Sequence, residues 1–417
     1  MQSGKPLLVI GGGTAGLTAA VEASETGSDV IIVEREPFLG GRVFRMHKYF
    51  PKLCAPQCGM EINFQRIRSN PRIRVITHAE VVSITGSNEN FEAKIKIGSK
   101  FINENCTSCG KCIDVCPVEI DDDFNANMSK KKAVFQPHPM SYPTGYTIDA
   151  EACKGASCSK CVDVCEYDAI DLSNKGEETT IHVNSVLFAT GWKPYDANKL
   201  TTLAFGKAQN VISNVMFERI ASNNGPTDGK IVRPSDNKEV KNIAFVQCAG
   251  SRDENHLPYC SAVCCLASLK QTKYIREAYP DSKVTIFYID IRTPGRYETF
   301  QQKVAADENV TLIKGKVARI TEDASTKDVI LHAEDVMSGE KIEFRADMAV
   351  LATGMVPSLN GEGKNLMATK DEHGFIDPAS LPDGMSVAGV AERPMDVMSS
   401  VMSGTAIALK NLGGDNA

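Results

Sequence analysis

The first chemical signal in this 417-residue chain is its 14 cysteines, all of which fall in groups. One run reads Cys106-x2-Cys109-x2-Cys112-x3-Cys116-Pro117, and a second reads Cys153-x4-Cys158-x2-Cys161-x3-Cys165. Three thiolates on a tight loop can hold three corners of a [4Fe–4S] cube, and in two-cluster proteins the fourth cysteine of each run reaches the other cube. The spacing therefore predicts one cluster on Cys106, Cys109, Cys112 and Cys165, and another on Cys153, Cys158, Cys161 and Cys116. Structural zinc needs only four thiolates, usually as two CxxC knuckles. A disulfide framework suits small secreted chains, and the opening from Met1 to Pro6 shows no charged segment followed by an apolar core. Single-electron transfer is the chemistry that follows.

A third group, Cys248, Cys260, Cys264 and Cys265, places four thiols in a short stretch, two of them adjacent. It suits a further cluster of unusual spacing. A redox disulfide and simple buried thiols are the alternatives. His256 lies in the same loop and could ligate, although a Pro-bounded turn places it more naturally at the surface. Cys54 and Cys58 supply only two ligands. They could share a cluster with another protein chain, form a redox pair, or be structural, with Pro56 stiffening the turn between them.

The elements that must position these thiols begin with a dinucleotide-binding unit. Leu7–Ile10 reads as a buried parallel strand, Gly11-Gly12-Gly13-Thr14-Ala15-Gly16 as its turn, and Leu17–Ala23 as a helix. Here G-x-G-x-x-G has strand before and helix after, as phosphate binding at a helix N-terminus requires. Gly11 makes the turn, Gly13 admits a pyrophosphate, and Gly16 lets helix and strand pack. The following strand ends in Glu34, placed to bind ribose hydroxyls, with Arg35 next to it. Gly40-Gly41-Arg42, the strand ending Ala189-Thr190-Gly191, the strand ending in Gly354, and the segment around Gly389 complete the set. In that order the fragments resemble the thioredoxin-reductase-like FAD fold, an α/β flavoprotein with two dinucleotide-binding domains. The last strand lacks that fold's usual Gly-Asp pair, which leaves Asp396 as a candidate contact.

The expected division is residues 1–100 for the first segment of the FAD domain and 101–173 for an inserted ferredoxin-like α+β module. Residues 174–230 then form the second FAD segment, 231–345 a second Rossmann-type domain, and 346–417 the third FAD segment. Strands between Ile73 and Ile97 should cross the FAD domain's face. The Lys130-Lys131-Lys132 run reads as a solvated loop face, with docking to an acidic partner as the alternative. In the second domain, Asn242–Val246 is followed by Gln247-Cys248-Ala249-Gly250 instead of a glycine-rich loop. A pyrophosphate cannot approach that backbone, so no NAD(P) is expected.

Gln247–Arg252, Tyr259-Cys260-x3-Cys264-Cys265, Asp290–Gly295, and Phe50-Pro51 leading to Cys54 resemble the A chain of the heterodisulfide reductase family. The resemblance implies FAD, a cluster on the third cysteine group beside it, and Lys270 near the reactive edge of the flavin. Without it, Lys270 would read as a solvated helix lysine. The FAD strand begins at residue 7 and the chain ends with the FAD fold's closing helix. That shortened form is most similar to the A-type flavoprotein of the quinone-interacting membrane-bound oxidoreductases of sulfate reducers. The resemblance implies a cytoplasmic location at the inner face of the membrane. The partners would be a second A-like flavoprotein and a quinone-reactive membrane subunit, with adenylylsulfate reductase as a further candidate. Net charge is −6, which argues against nucleic acid, and no apolar run is long enough to span a bilayer. The competing readings are a flavin-bifurcating soluble heterodisulfide reductase component, an NAD(P)H-dependent ferredoxin-type reductase, and a scaffold with structural clusters.

Overall fold

The computed structural model describes residues 5–50, 52–359 and 363–412. Pro51 of the Phe50-Pro51 signature lies outside them. Runs such as Leu7–Ile10 and Val30–Val33 are apolar at every position and buried on both faces, the pattern of a covered parallel sheet. Five parallel strands form the first sheet in the order Met385–Val387, Ser185–Phe188, Leu7–Ile10, Val30–Val33, Ile73–Ile76. The Thr14–Glu25 helix covers one face, packed against the closing helix Val397–Leu412. On the other face an antiparallel sheet joins Ala79–Ser87, Asn90–Ile97 and Glu177–Val183. Its middle strand buries Phe91, Ala93 and Ile95 and exposes Glu92, Lys94 and Lys96, the alternation of a half-covered strand.

A second parallel sheet has the order Val211–Ser213, Met348–Thr353, Asn242–Ala249, Lys283–Tyr288, Val310–Lys314. This corrects two expected boundaries. The expected division puts Val211–Ser213 in the second FAD segment and Met348–Thr353 in the third, yet both strands belong to the second sheet. An apolar strand ending in Ala-Thr-Gly serves either parallel sheet equally well, so the signature could not discriminate between them.

Between the first two FAD segments sits the cysteine-rich module. The Ile102–Ile170 bridge closes its neck, with Asn103 N–H donating to the Ala169 carbonyl at 2.9 Å and Asp171 N–H to that of Phe101 at 2.8 Å. Its buried core is Cys112, Val134, Ile148 and Cys161. A core that small supports no independent fold without a further staple. The lysine run pairs internally: Lys130, Lys131 and Lys132 bond Asp121, Asp123 and Glu119 across one short hairpin. Those pairs neutralise the patch and favour the solvated-face reading.

One side chain ties the module to the rest. Arg219, on the helix Asn214–Ile220, is fully buried. It donates to Asn125 Oδ1 of the module at 2.9 Å, to the Arg45 carbonyl at 2.8 Å, and to the Asn224 carbonyl and Oδ1 at 3.0 Å. Its guanidinium lies 4.7 Å from the centre of the Phe124 ring, and Phe124 packs against Phe38 and Phe44. Replacing Arg219 by Met strands several buried acceptors, each worth about 1–3 kcal/mol. R219M is expected to destabilise the chain by about 3 kcal/mol or more, read from urea unfolding; a loss below about 1 kcal/mol would contradict this role.

Candidate redox centres

A cavity of about 840 Å³ opens at the C-terminal edge of the first sheet, at the upper end of small-molecule sites. Gly11, Gly13, Thr14, Ala15, Glu34, Arg35, Gly41, Arg42, Ala189, Thr190 and Gly191 all line it, as the sequence predicted. Close backbone approach explains the glycines. A Cβ on Gly11, whose φ is +109°, would stand 2.4 Å from the Ala189 carbonyl oxygen, and one on Gly16 would stand 2.0 Å from that of Gly11. Gly16 is thus a packing residue behind the wall. Gly389, at φ +66°, abuts Ala15, while its neighbours Ala388 and Val390 reach the cavity. Gly354 corrects its expectation. It faces Ser251, Ser261 and Leu257 in the cysteine loop of the second domain instead of the dinucleotide cradle, because its strand lies in the second sheet.

Several groups in this wall suit an FAD. The hydroxyls of Thr14 and Thr190 are buried and have no hydrogen-bond partner among the described residues. Arg42 is half-buried beside the glycine turn and makes no ion pair among the described residues, a cation placed for a phosphate. Glu34 accepts from Gly12 N–H at 2.6 Å and Glu36 N–H at 2.8 Å. Burial raises its carboxyl above the usual range, and those two N–H groups partly counter the shift. Asp396 also lines the cavity, and its Oδ1 accepts from Ser399 N–H at the start of the closing helix.

Lys270 lines the same cavity and is buried, which overturns the solvated-lysine reading. Its ammonium donates to the Lys48 carbonyl at 2.7 Å and pairs with Glu218 at 2.9 Å. Glu218, which sequence reasoning missed, also accepts from Gln271 at 2.8 Å, His47 N–H at 3.0 Å and Tyr274 at 3.3 Å. Burial beside that carboxylate pushes the Tyr274 phenol far above its usual range. The cation expected at the flavin therefore arrives with its counter-charge.

Cys106, Cys109, Cys112 and Cys165 line one small cavity in the module, which unites the fourth cysteine of the second run with the first run. Cys161 lies within electrostatic reach of Cys153 and Cys116, the reciprocal crossover. In the third group, Cys248 is the penultimate residue of its strand, at φ +54°, and Cys264 opens the helix Cys264–Ala278. Cys264 lies within electrostatic reach of Cys265, Cys248 and Cys260, and burial pushes its thiol well above its usual range. Among the described residues no three His, Cys, Asp or Glu side chains close tightly enough for a single metal ion. A cube, by contrast, fills the space between its thiolates. His256 shares a hydrogen bond through Nδ1 with the Tyr195 hydroxyl at 2.8 Å and takes its place outside the thiol group. Cys54 bridges Tyr49, a cavity-lining residue, while Cys58 is exposed on the first turn of the Pro56–Ser69 helix.

Comparison with known proteins agrees with this arrangement. The family model for FAD dependent oxidoreductases matches residues 6–47, and that for the 4Fe-4S binding domain matches residues 100–120. The second iron-sulfur A chain of the CoB–CoM heterodisulfide reductase of Methanopyrus kandleri is 37% identical over 97% of this chain. The chain is similar to the A chains of heterodisulfide reductases over nearly its whole length. That of the H2:CoB-CoM heterodisulfide, ferredoxin reductase of Methanothermobacter thermautotrophicus is 34% identical, again over 97% of the chain. In both cases the chain spans 63% of the relative's length. Thioredoxin reductase from T. acidophilum superposes over 100% of both chains with a TM-score of 0.54 at 15% identity, and that from Lactococcus lactis over 98% of both chains at 0.53 and 13%. At such identities the likeness shows the fold alone. The chain thus has a thioredoxin-reductase-like fold with a ferredoxin-type insertion, and the 4Fe-4S match lies within that insertion.

The buried thiols generate a pH dependence. Burial pushes Cys112 from 9.0 up to about 11. A group raised by folding contributes stability that is complete below its unfolded pKa and is lost as pH rises through the folded one. Cluster-free protein is therefore expected to lose thermal stability between pH 9 and pH 11. Ligated thiolates carry no such proton, so loaded protein should lose none from this source. Identical melting profiles for the two forms would contradict this.

Proposed function

We propose that this chain is an electron-transfer flavoprotein and iron–sulfur subunit of a heterodisulfide-reductase-type complex. One observation carries the reading: elements bearing both kinds of cysteine group form walls of the flavin cavity. From the inserted module come Asp123, Phe124, Ala126 and Asn127, at the end of the hairpin that follows Cys116. From the second domain come Val263, Leu266 and Ala267, which flank Cys264 and Cys265 on both sides. In this reading the third cysteine group lies beside the flavin, and the module reaches the same cavity through its hairpin, as a relay requires.

Thr14, Arg42 and the Thr14–Glu25 helix N-terminus would hold the pyrophosphate, Glu34 the ribose, and the Ala189–Gly191 turn the neighbouring backbone edge. FAD bound there supplies the exchange between two-electron and one-electron chemistry. Lys270 presents a cation to the cavity, with Glu218 limiting its net charge. Cys106, Cys109, Cys112 and Cys165 hold one [4Fe–4S] cluster, Cys153, Cys158, Cys161 and Cys116 a second, and Cys248, Cys260, Cys264 and Cys265 a third. Phe124 and the Arg219 contacts keep the module seated against the cavity.

The narrower reading follows the sequence resemblance. The protein would lie at the cytoplasmic face of the membrane and link quinol oxidation, through a second A-like flavoprotein and a membrane subunit, to adenylylsulfate reductase. Among the described residues no helix is long and apolar enough to cross a membrane, so contact with the membrane would come through a partner. Direct reduction by NAD(P)H is disfavoured. The second domain's first turn carries Cys248 where a glycine loop would approach a pyrophosphate, and its Gly250 is packed against the Tyr195 ring.

Anaerobic iron and flavin content tests the proposal. Three clusters require about 12 irons beside one FAD, and Cys264→Ser should leave about eight irons with flavin retained. A wild-type value of about eight irons would remove the third cluster, and a value near zero would overturn the proposal.

A further inference from the structure

The third cysteine group has an arginine held beside it by an ion pair. Cys248 at φ +54°, Gly250 at +89° and Arg252 at +58° turn the chain sharply after the Asn242–Ala249 strand. The Ser251–Leu257 bridge and the Arg252 N–H bond to the Tyr259 carbonyl at 3.0 Å then close the loop, bringing Cys260 back toward Cys248. In that turn, four residues on from Cys248, the Arg252 guanidinium lies near enough to the Cys248 sulfur to offset part of the upward shift that burial gives its thiol. The same guanidinium pairs with Asp290 Oδ2 at 2.9 Å, and the Asp290 carbonyl accepts from Cys265 Sγ at 3.5 Å. The Arg252–Asp290 pair thus links the turn that carries Cys248 to the segment in contact with Cys265. Ala262 N–H adds a contact to Cys260 Sγ at 3.4 Å.

In the inserted module, burial and neighbouring thiols push the Cys112 and Cys161 thiols upward. Lys111 stands near Cys109 but is exposed and paired with Glu166.

Reducing a cluster adds a negative charge to it. A cation in contact with a ligating sulfur lowers that cost, so net charge and hydrogen bonds to sulfur tune cluster potentials. Arginine does not deprotonate in proteins, so its contribution persists at any working pH. Asp290 opposes it.

We propose that Arg252 is a positioning residue that raises the reduction potential of the Cys248/Cys260/Cys264/Cys265 centre relative to the two module centres, making it the most readily reduced of the three. The inference rests on that group holding a cluster. Asp290 trims the effect, so the pair sets the potential by opposed charges.

The test is a redox titration of the anaerobic full chain, followed by electron paramagnetic resonance, after iron counting. Arg252→Gln should shift one cluster to a more negative potential and leave the other two in place. Arg252→Lys should restore most of the shift, and Asp290→Asn should move the same cluster to a more positive potential. An unchanged potential in R252Q, or D290N shifting in the same direction as R252Q, would overturn the proposal. Should R252Q shed about four irons, D290N decides alone: a positive shift supports the charge effect and an unchanged potential refutes it. Wild-type protein with about eight irons would instead overturn the cluster reading itself, and this proposal with it.

Discussion

The structure depends on one buried guanidinium. Arg219 bonds the Arg45 carbonyl of the FAD domain, Asn125 of the inserted module and Asn224 of its own domain, and stacks over Phe124. A buried charge tolerates no partial satisfaction, because each unpaired polar group in a low-dielectric interior is costly. Three segments distant in sequence must therefore meet at one geometry. Glu218, the residue before it, fixes Lys270 on the cavity wall. Two consecutive residues thus join the architecture to the charge around the flavin site.

The wall they organise explains why the module is inserted rather than appended. A small domain with half of its buried core made of cysteine has too little apolar core to order itself, and it gains order from its seat on a larger fold. Entering and leaving through the Ile102–Ile170 neck, it returns the loop after Cys116 to the flavin cavity. Cys264 and Cys265 begin the helix that supplies Lys270 to the same cavity. Both cysteine-bearing elements are in this way tied to one cavity by short stretches of backbone.

Much of this is readable in the chain itself. Cysteine spacing anticipates the crossover of Cys165 to the first run, because the constraint is local and covalent: tight loops can offer only three corners. The glycine turn, Glu34 and Arg42 are equally plain, since close backbone approach admits few residue types. What stays hidden depends on long-range packing. Asn-Val-Met-Phe-Glu-Arg-Ile offers adjacent charges of the kind that normally face water, yet Glu218 and Arg219 are both buried. Lys270 reads as solvated for the same reason. The strand before Gly354 carries a signature shared by both sheets, so its partner can be known only from the hydrogen-bond ladder.

The central claim is that electrons pass between flavin and clusters with no nicotinamide site in the second domain. Anaerobic mixing of the FAD- and iron-loaded chain with NADH or NADPH, with dithionite as the comparison, tests it most directly. Dithionite should bleach the flavin absorbance and bring up reduced [4Fe–4S] signals, while neither nicotinamide should bleach the flavin. Rapid bleaching by NADH or NADPH, or a reduced flavin alongside clusters that never take up an electron, would contradict the account.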